Sequence, residues 1–84
     1  MITTVQYENI TENEIVTNIY PNPAKDFVKI EGDIDNVKIY NALGQIISIT
    51  DENIIDVSRF NKGIYLFNIT MRNGKVESRK VVME

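Results

Sequence analysis

The sequence predicts an all-β fold, and three observations support this prediction. β-Branched residues make up one third of the 84 residues, with 14 Ile, 8 Val and 6 Thr, whereas Leu and Ala together number four. Such side chains pack well on a pleated surface and lose rotamer freedom in a helix. Turn-forming residues recur about every ten positions, a spacing typical of short strands. Because the chain has no Cys, two facing sheets or a barrel must close its core without disulfides.

Seven predicted strands lie between the turn signals, which is the strand number of an immunoglobulin-like antiparallel β-sandwich. The turn signals are residues 22–23, 31–33, 42–44, 51–53, 61–63 and 73–74. The predicted strands, in chain order, are residues 15–20, 26–31, 36–41, 45–50, 54–57, 63–71 and 75–83.

The first strand is predicted to end at Tyr20 because Pro21 and Pro23 follow it. Proline has no backbone N–H and a fixed φ, so residues 21–23 are interpreted as a stiff connection rather than part of a central strand. The second and third strands alternate in polarity, which is typical of strands with one buried face. Val28 and Ile30 lie on the face opposite Phe27 and Lys29, and the face with Val37 and Ile39 is opposite the one with Lys38 and Tyr40.

The fourth and fifth strands, 45–50 and 54–57, are defined by the turn signals on either side of them. The sixth strand, 63–71, is apolar on both faces at its start, with Ile64 and Leu66 on one face and Tyr65 and Phe67 on the other. We therefore expect it to be central in its sheet and covered on both sides at its start. Asn73-Gly74 predicts a two-residue hairpin turn that pairs this strand with the seventh, 75–83.

Composition argues against an enzyme and against a cofactor or metal site. The chain has neither His nor Cys, so the commonest general base, thiolate nucleophile and transition-metal ligands are missing. The acidic turn at residues 31–36 has oxygen ligands for Ca²⁺ but lacks the full loop pattern, and a solvated turn is the favoured interpretation. Tyr20, Tyr40 and Tyr65 lie on different predicted strands, which favours packing roles over a sugar-stacking platform.

Charge is distributed unevenly along the chain. Residues 1–56 carry ten acidic and three basic residues, a net charge of −7, whereas residues 57–84 carry six basic and two acidic residues, a net charge of +4. The basic end is interpreted as solvated strand faces or as an electropositive docking surface. A nucleic-acid partner is disfavoured because the pI is about 4.9 and no basic stretch is interleaved with aromatics. No apolar run is long enough to form a transmembrane segment.

Residues 1–18 are interpreted as a linker, with an extra edge strand at residues 3–7 as the alternative, and residues 19–84 as the domain proper. No signal-peptide pattern follows Met1. We therefore expect Met1 to be an artificial start and the sequence to be a fragment from the end of a longer chain.

Three separated pieces of sequence resemble one family. Residues 19–24 read Ile-Tyr-Pro-Asn-Pro-Ala, residues 37–45 read Val-Lys-Ile-Tyr-Asn-Ala-Leu-Gly-Gln, and residues 55–65 include Ile-Asp-Val-Ser and Asn-Lys-Gly-Ile-Tyr. The chain then closes on Arg-Lys-Val-Val at residues 79–82. In this order and spacing, the chain closely resembles the type A C-terminal sorting domain of the type IX (Por) secretion system of Bacteroidetes.

The resemblance implies a seven-stranded immunoglobulin-like sandwich and a non-catalytic export signal. The signal would direct a cargo protein, joined on its N-terminal side, through the periplasm and across the outer membrane, to the cell surface or the medium. The implied partners are the type IX translocon, an outer-membrane shuttle protein and a sortase-like cysteine peptidase that removes the domain. Cleavage would fall within residues 3–17. The alternative interpretation is a stand-alone adhesion or glycan-binding sandwich of the fibronectin type.

The resemblance also points to particular residues. Gly63 and Tyr65 are expected to be structural, because glycine gives backbone freedom at a turn and tyrosine packs in a core. The final strand is the recognition candidate, because a basic edge strand can bind a partner by strand addition. The residues that match the family's motifs are Pro21, Asn22, Pro23, Gly63, Tyr65, Arg79, Lys80, Val81 and Val82.

Overall fold

The computed structural model describes residues 18–84, which form seven strands and no helix. No helix that could span a membrane occurs in this part of the chain. The predicted extra strand at residues 3–7 and the first residues of the predicted strand 15–20 lie outside the described residues. The strands are β1 (Asn18–Tyr20), β2 (Phe27–Glu31), β3 (Ile34–Tyr40), β4 (Ile46–Thr50), β5 (Ile54–Asp56), β6 (Gly63–Met71) and β7 (Val76–Met83).

The strands form two antiparallel sheets, which confirms the predicted β-sandwich. One sheet has the order β1-β2-β5 and the other the order β4-β3-β6-β7. This is an immunoglobulin-like arrangement in which the fourth strand pairs with the third. The predicted strand positions agree with the observed ones to within two residues at the ends that the structure describes.

The core lies between the two sheets and is built from the inward residues of alternating strands. Val28, Ile30, Val37 and Ile39 each lie on one face of an alternating strand and are fully buried, and Phe67 is the largest fully buried side chain. These residues stabilise the fold because each removes apolar area from water at about 25 cal/mol per Å². The buried set, among residues 18–84, is Ala24, Val28, Ile30, Ile34, Val37, Ile39, Ile55, Val57, Tyr65, Phe67, Ile69, Met71, Val81 and Met83.

The hairpin between β6 and β7 is present, but its loop has three residues instead of the predicted two. The Met71 N–H donates to the Lys75 carbonyl at 2.7 Å, and the Gly74 N–H donates to the Met71 carbonyl at 2.9 Å. Gly74 has a φ of 91°, the left-handed conformation that ends a three-residue loop. The β3–β4 loop has the same bonds between Asn41, Gly44 and Gln45.

Strand β6 is central, between β3 and β7, as predicted. The prediction that both faces are covered at its start is wrong. Tyr65 and Phe67 are buried on the inner face, but Ile64 is 50% exposed and Leu66 is 41% exposed on the outer face. The two apolar faces of the sequence therefore have different roles. One packs in the core, and the other is presented to solvent.

Candidate functional site

The family-motif residues, which come from three distant parts of the sequence, meet at one end of the β6–β7 pair. Register places Gly63 opposite Met83 and Tyr65 opposite Val81. Residues 21–24 lie along the other side of β7. The structure thus brings residues 21–23, Gly63, Tyr65 and residues 80–82 to one end of this strand pair, and we call this region the corner. Arg79 lies farther along β7, opposite Phe67.

Asn22 joins the Pro-Asn-Pro segment to the last strand. Its side-chain Nδ2 donates to the Lys80 carbonyl at 3.1 Å, and its Oδ1 accepts from the Val82 N–H at 3.0 Å. An asparagine amide offers one donor end and one acceptor end, as a peptide group does. The Asn22 side chain therefore substitutes for a neighbouring strand at positions 80–82.

Ala24 continues this contact with backbone atoms. Its N–H donates to the Val82 carbonyl and its carbonyl accepts from the Glu84 N–H, both at 2.8 Å, and Ala24 forms a parallel bridge with Met83. Proline has no N–H group to donate in strand pairing. The hydrogen bonds to β7 therefore come from Asn22, which lies between the two prolines, and from Ala24, which follows the second. Pro21 and Pro23 are exposed, and both of their peptide bonds are cis.

These contacts limit where a partner strand could be added to β7. The strand is the last in its sheet, as the edge-strand hypothesis requires. However, the outward carbonyls of Lys80 and Val82 and the Val82 N–H are already bonded. Antiparallel pairing alternates the direction of backbone groups, so among residues 18–84 the Lys80 N–H and the equivalent outward groups of Val76 and Ser78 are the ones left for a partner. Within the described structure, strand addition is therefore confined to residues 76–80.

Tyr65 fastens the loop before β6 to the sandwich. Its hydroxyl donates to the Asn61 carbonyl at 2.8 Å, four residues upstream, while its ring is buried. The same contact occurs in immunoglobulin-like sandwiches, where a tyrosine early in the sixth strand bonds back to the preceding loop. The Phe60 ring lies beside it at a centroid distance of 5.3 Å. The interpretation of Tyr65 as a structural residue agrees with this geometry.

Gly63 begins β6 with a φ of 143°, a conformation that side chains with a Cβ rarely adopt. A Cβ at this position would meet no atom within 4 Å. The glycine is therefore required by the backbone conformation and not by crowding.

The basic residues of the closing strand face opposite sides of the sheet. Arg79 is opposite the buried Phe67, and Lys80 is opposite the outward Leu66. The Arg79 Nη2 donates to the Glu77 Oε1 at 3.0 Å, so its charge is neutralised within the strand. Lys80 is exposed and makes no ion pair with any residue in the range 18–84. Of the two, Lys80 is the one that presents free positive charge.

Val81 and Val82 divide in the same way. Val81 is fully buried in the core, whereas Val82 is half-buried on the outer face opposite Ile64. The closing motif therefore contains one buried core residue, Val81, and neighbours that are accessible to solvent. A change at Val81 affects the fold, and a change at Lys80 affects the surface.

Two carboxylates away from the corner have lowered pKa values. Glu31 accepts hydrogen bonds from the Asn18 amide at 3.2 Å and the Tyr20 hydroxyl at 2.9 Å, and these bonds lower its pKa by stabilising the charged form. The Asp56 pKa is lowered mainly by bonds from the Ser58 hydroxyl, at 2.6 Å, and backbone N–H. Glu31 joins β2 to β1, whereas Asp56 bonds to the loop that follows β5.

The acidic turn that offered possible Ca²⁺ ligands has other contacts. Asp33 forms an ion pair with Arg72, at 3.0 Å from its Nε, and Glu31 is bonded to Asn18 and Tyr20. Within residues 18–84, no three acidic side chains come close enough together to hold a metal ion.

Sequence reasoning did not find the pairing of Asn22 with β7. Its partners, Lys80 and Val82, lie 58 and 60 residues after Asn22 in the sequence. The sequence pattern at this asparagine predicts only a turn. The pattern of an amide residue enclosed by two residues without N–H groups is the signal that could have indicated side-chain pairing with a strand edge.

Comparisons with known proteins agree with this geometry. The family described as "Secretion system C-terminal sorting domain" matches residues 18–84, and this match begins at the first residue of β1. Beta-agarase D of Zobellia galactanivorans is 35% identical over 68 residues, which cover 77% of this chain and 14% of the agarase. The chain thus corresponds to a small part of that relative.

Proposed function

The chain belongs to the family of secretion-system C-terminal sorting domains, and on this premise we propose that it is a non-catalytic folded signal that takes a cargo protein across the outer membrane. The family serves type IX secretion, which confirms the resemblance seen in the sequence. The cargo would be joined on the N-terminal side of the domain. In beta-agarase D, the matched region is likewise a small part of a much longer protein, which supports this arrangement.

The assembly of the corner is the observation that carries this proposal. Residues 21–24, the start of β6 and the end of β7 form one structural unit only when the domain is folded. A receptor that binds this unit recognises the folded domain and not a linear sequence. The signal would therefore be presented only after the domain has folded in the periplasm.

The proposed partners are a translocon, an outer-membrane shuttle protein that receives the folded domain, and a sortase-like cysteine peptidase that removes it. The peptidase would cut within residues 3–17, outside the described residues. A cut there would leave all seven described strands on one fragment.

Export of a reporter tests the proposal. Residues 1–84 are fused to the C-terminus of a periplasmic fluorescent protein in a bacterium with a type IX system and in a translocon-deficient strain. We expect the reporter outside the first strain only, shortened by slightly less than the 9.7 kDa of the 84-residue chain. Reporter retained equally in both strains contradicts the sorting function. Reporter exported at full length contradicts only removal by the peptidase.

Truncation is a poor test of the closing strand. Deleting residues 80–84 removes two buried core side chains, Val81 and Met83, and the partners of Asn22 and Ala24. Losing a single large core side chain costs about 2–5 kcal/mol, so this deletion is expected to unfold the domain. Substitutions of exposed residues separate recognition from folding.

A further inference from the structure

The outer face of the four-stranded sheet carries a continuous apolar surface. We call it the outer patch and define it as Tyr40, Ile46, Ile49, Ile64 and Leu66. The last four of these are 53%, 59%, 50% and 41% exposed, respectively. Contiguous exposed apolar surfaces of this kind mark interaction sites on soluble domains, whereas isolated exposed apolar residues need no explanation.

Strand register shows that the outer patch is contiguous. Residues directly opposite each other on paired strands lie on the same face, with Cβ atoms about 5 Å apart. One row across the sheet is Ile46, Tyr40, Leu66 and Lys80, and the next is Ile49, Lys38, Asn68 and Ser78. Ile64 lies beyond Leu66, opposite Val82.

A groove of about 420 Å³ lies on this face where it meets the β3–β4 loop, beside Ile64 and Leu66. Its lining includes Tyr40, Gly44, Ile64, Leu66 and Lys80. The volume is within the range of sites that hold small ligands, about 300–1,000 Å³, and so can accept one or two side chains of a partner. The bound side chain would contact apolar surface and end beside the Lys80 ammonium group.

The charge on this face has one sign. The two rows and the Ile64–Val82 pair contain Lys38 and Lys80 and no carboxylate. The opposite sheet differs, since its outward residues include Lys29, Glu31 and Asp56. An apolar surface with two lysines is complementary to an apolar segment that carries carboxylates.

Resting on the proposed function, we propose that the outer patch is the surface by which the export machinery recognises the folded domain. Its partner is a protein segment that presents a large apolar side chain flanked by Asp or Glu. Lys80 connects the patch to the corner, because its side chain faces the groove and its carbonyl is bonded to Asn22. The partner thus binds a surface that includes Lys80, whose backbone is held in place by its hydrogen bond to Asn22 in the corner.

A second copy of the chain is a poorer occupant. Two outer patches placed face to face would bring Lys38 and Lys80 of each copy together with no carboxylate between them. Like charges brought together in an interface disfavour the complex.

Matched exposed substitutions in the reporter fusion test the proposal. Ile64→Glu changes the outer patch, and Ile54→Glu changes an isoleucine of similar exposure, 56%, on the opposite sheet. Lys80→Glu is matched by Lys75→Glu, which makes the same charge change at the exposed β6–β7 loop. Urea unfolding of each purified domain establishes that the compared variants are folded.

We expect Ile64→Glu and Lys80→Glu each to lower the rate of export about tenfold or more, the effect of losing a central interface residue. Ile54→Glu and Lys75→Glu are expected to be exported like the parent. Equal export of the parent and all four variants overturns the role of the patch but leaves the sorting function standing. A parent fusion that is not exported contradicts the sorting function itself.

Two further outcomes would assign the patch to another occupant. Sedimentation of the 84-residue chain is expected to show a monomer, and a dimer that Ile64→Glu dissociates would overturn the proposal in favour of a second copy. Residues 1–17 contain Glu8, Glu12 and Glu14 and no basic residue. If changing these three to Gln shifts the methyl NMR signals of Ile64 and Leu66, the chain's own segment occupies the patch.

Discussion

Replacing Asn22 with Ala should destabilise the domain by about 1–2 kcal/mol. The change removes two hydrogen bonds, to the Lys80 carbonyl and from the Val82 N–H. A hydrogen bond contributes about 0.5–1.5 kcal/mol net, and the exposure of Asn22 favours the lower half of the summed range because water can replace the lost partner. For a domain of this size, each kcal/mol corresponds to a fall in Tm of about 4–8 °C.

Urea unfolding followed by far-UV circular dichroism measures this effect. Asn61→Ala is the matched control, since Asn61 is exposed and its contact with Tyr65 uses the backbone carbonyl. The control is expected to change the free energy of unfolding by less than about 0.5 kcal/mol. If Asn22→Ala is no more destabilising than Asn61→Ala, the side chain does not stabilise the edge of β7, and the argument about the corner fails.

Three other changes follow from the structure. Tyr65→Phe keeps the ring but loses the hydroxyl bond to the Asn61 carbonyl, so we expect a loss of about 1 kcal/mol; an unchanged urea midpoint would contradict this role. Phe67→Ala should leave the domain largely unfolded by circular dichroism, because the truncation costs about 3–5 kcal/mol and small domains have little more stability than that; a cooperative native-like melt would refute it. Because the folded-state pKa values of Glu31 and Asp56 are lowered, the unfolded state binds more protons in acid; their stabilisation is complete above the unfolded-state pKa values and is lost as pH falls through the folded-state values. Urea midpoints measured between about pH 6 and 2 should therefore decrease as the pH is lowered, and less steeply in the Glu31→Gln variant than in the parent. Identical pH dependence of the two midpoints would contradict the assignment.

Local patterns predicted the strands well because each is bounded by a local turn signal and several alternate in polarity. Val28 and Ile30, for example, were predicted to lie on the face opposite Phe27 and Lys29, and the structure buries the first pair and leaves the second at the surface. The alternation could not predict the exposure of Ile64, because a strand with two apolar faces looks the same whether its second face is covered by its own chain or left for a partner.

The candidate site was predicted as a set of residues but not as an assembly. The pieces of the motif were recognised in the sequence, yet the contact between Asn22 and the end of β7 depends on a bend at residues 21–23 and on the register of β6 with β7. Neither the bend nor the register produces a periodic pattern in the sequence. The different environments of Arg79 and Lys80 also depend on register, which places one opposite Phe67 and the other opposite Leu66.

The parallel course of residues 22–24 beside β7 has a mechanical consequence. If Asn18 and Glu84 are pulled in opposite directions, the two segments slide along each other, and the bonds of Asn22 and Ala24 to β7 are loaded together in shear. An antiparallel hairpin pulled at its two open ends would instead break one bond at a time. The fold is therefore built to remain closed under tension between its two ends, and the Asn22 contact is one of the bonds that carry that load.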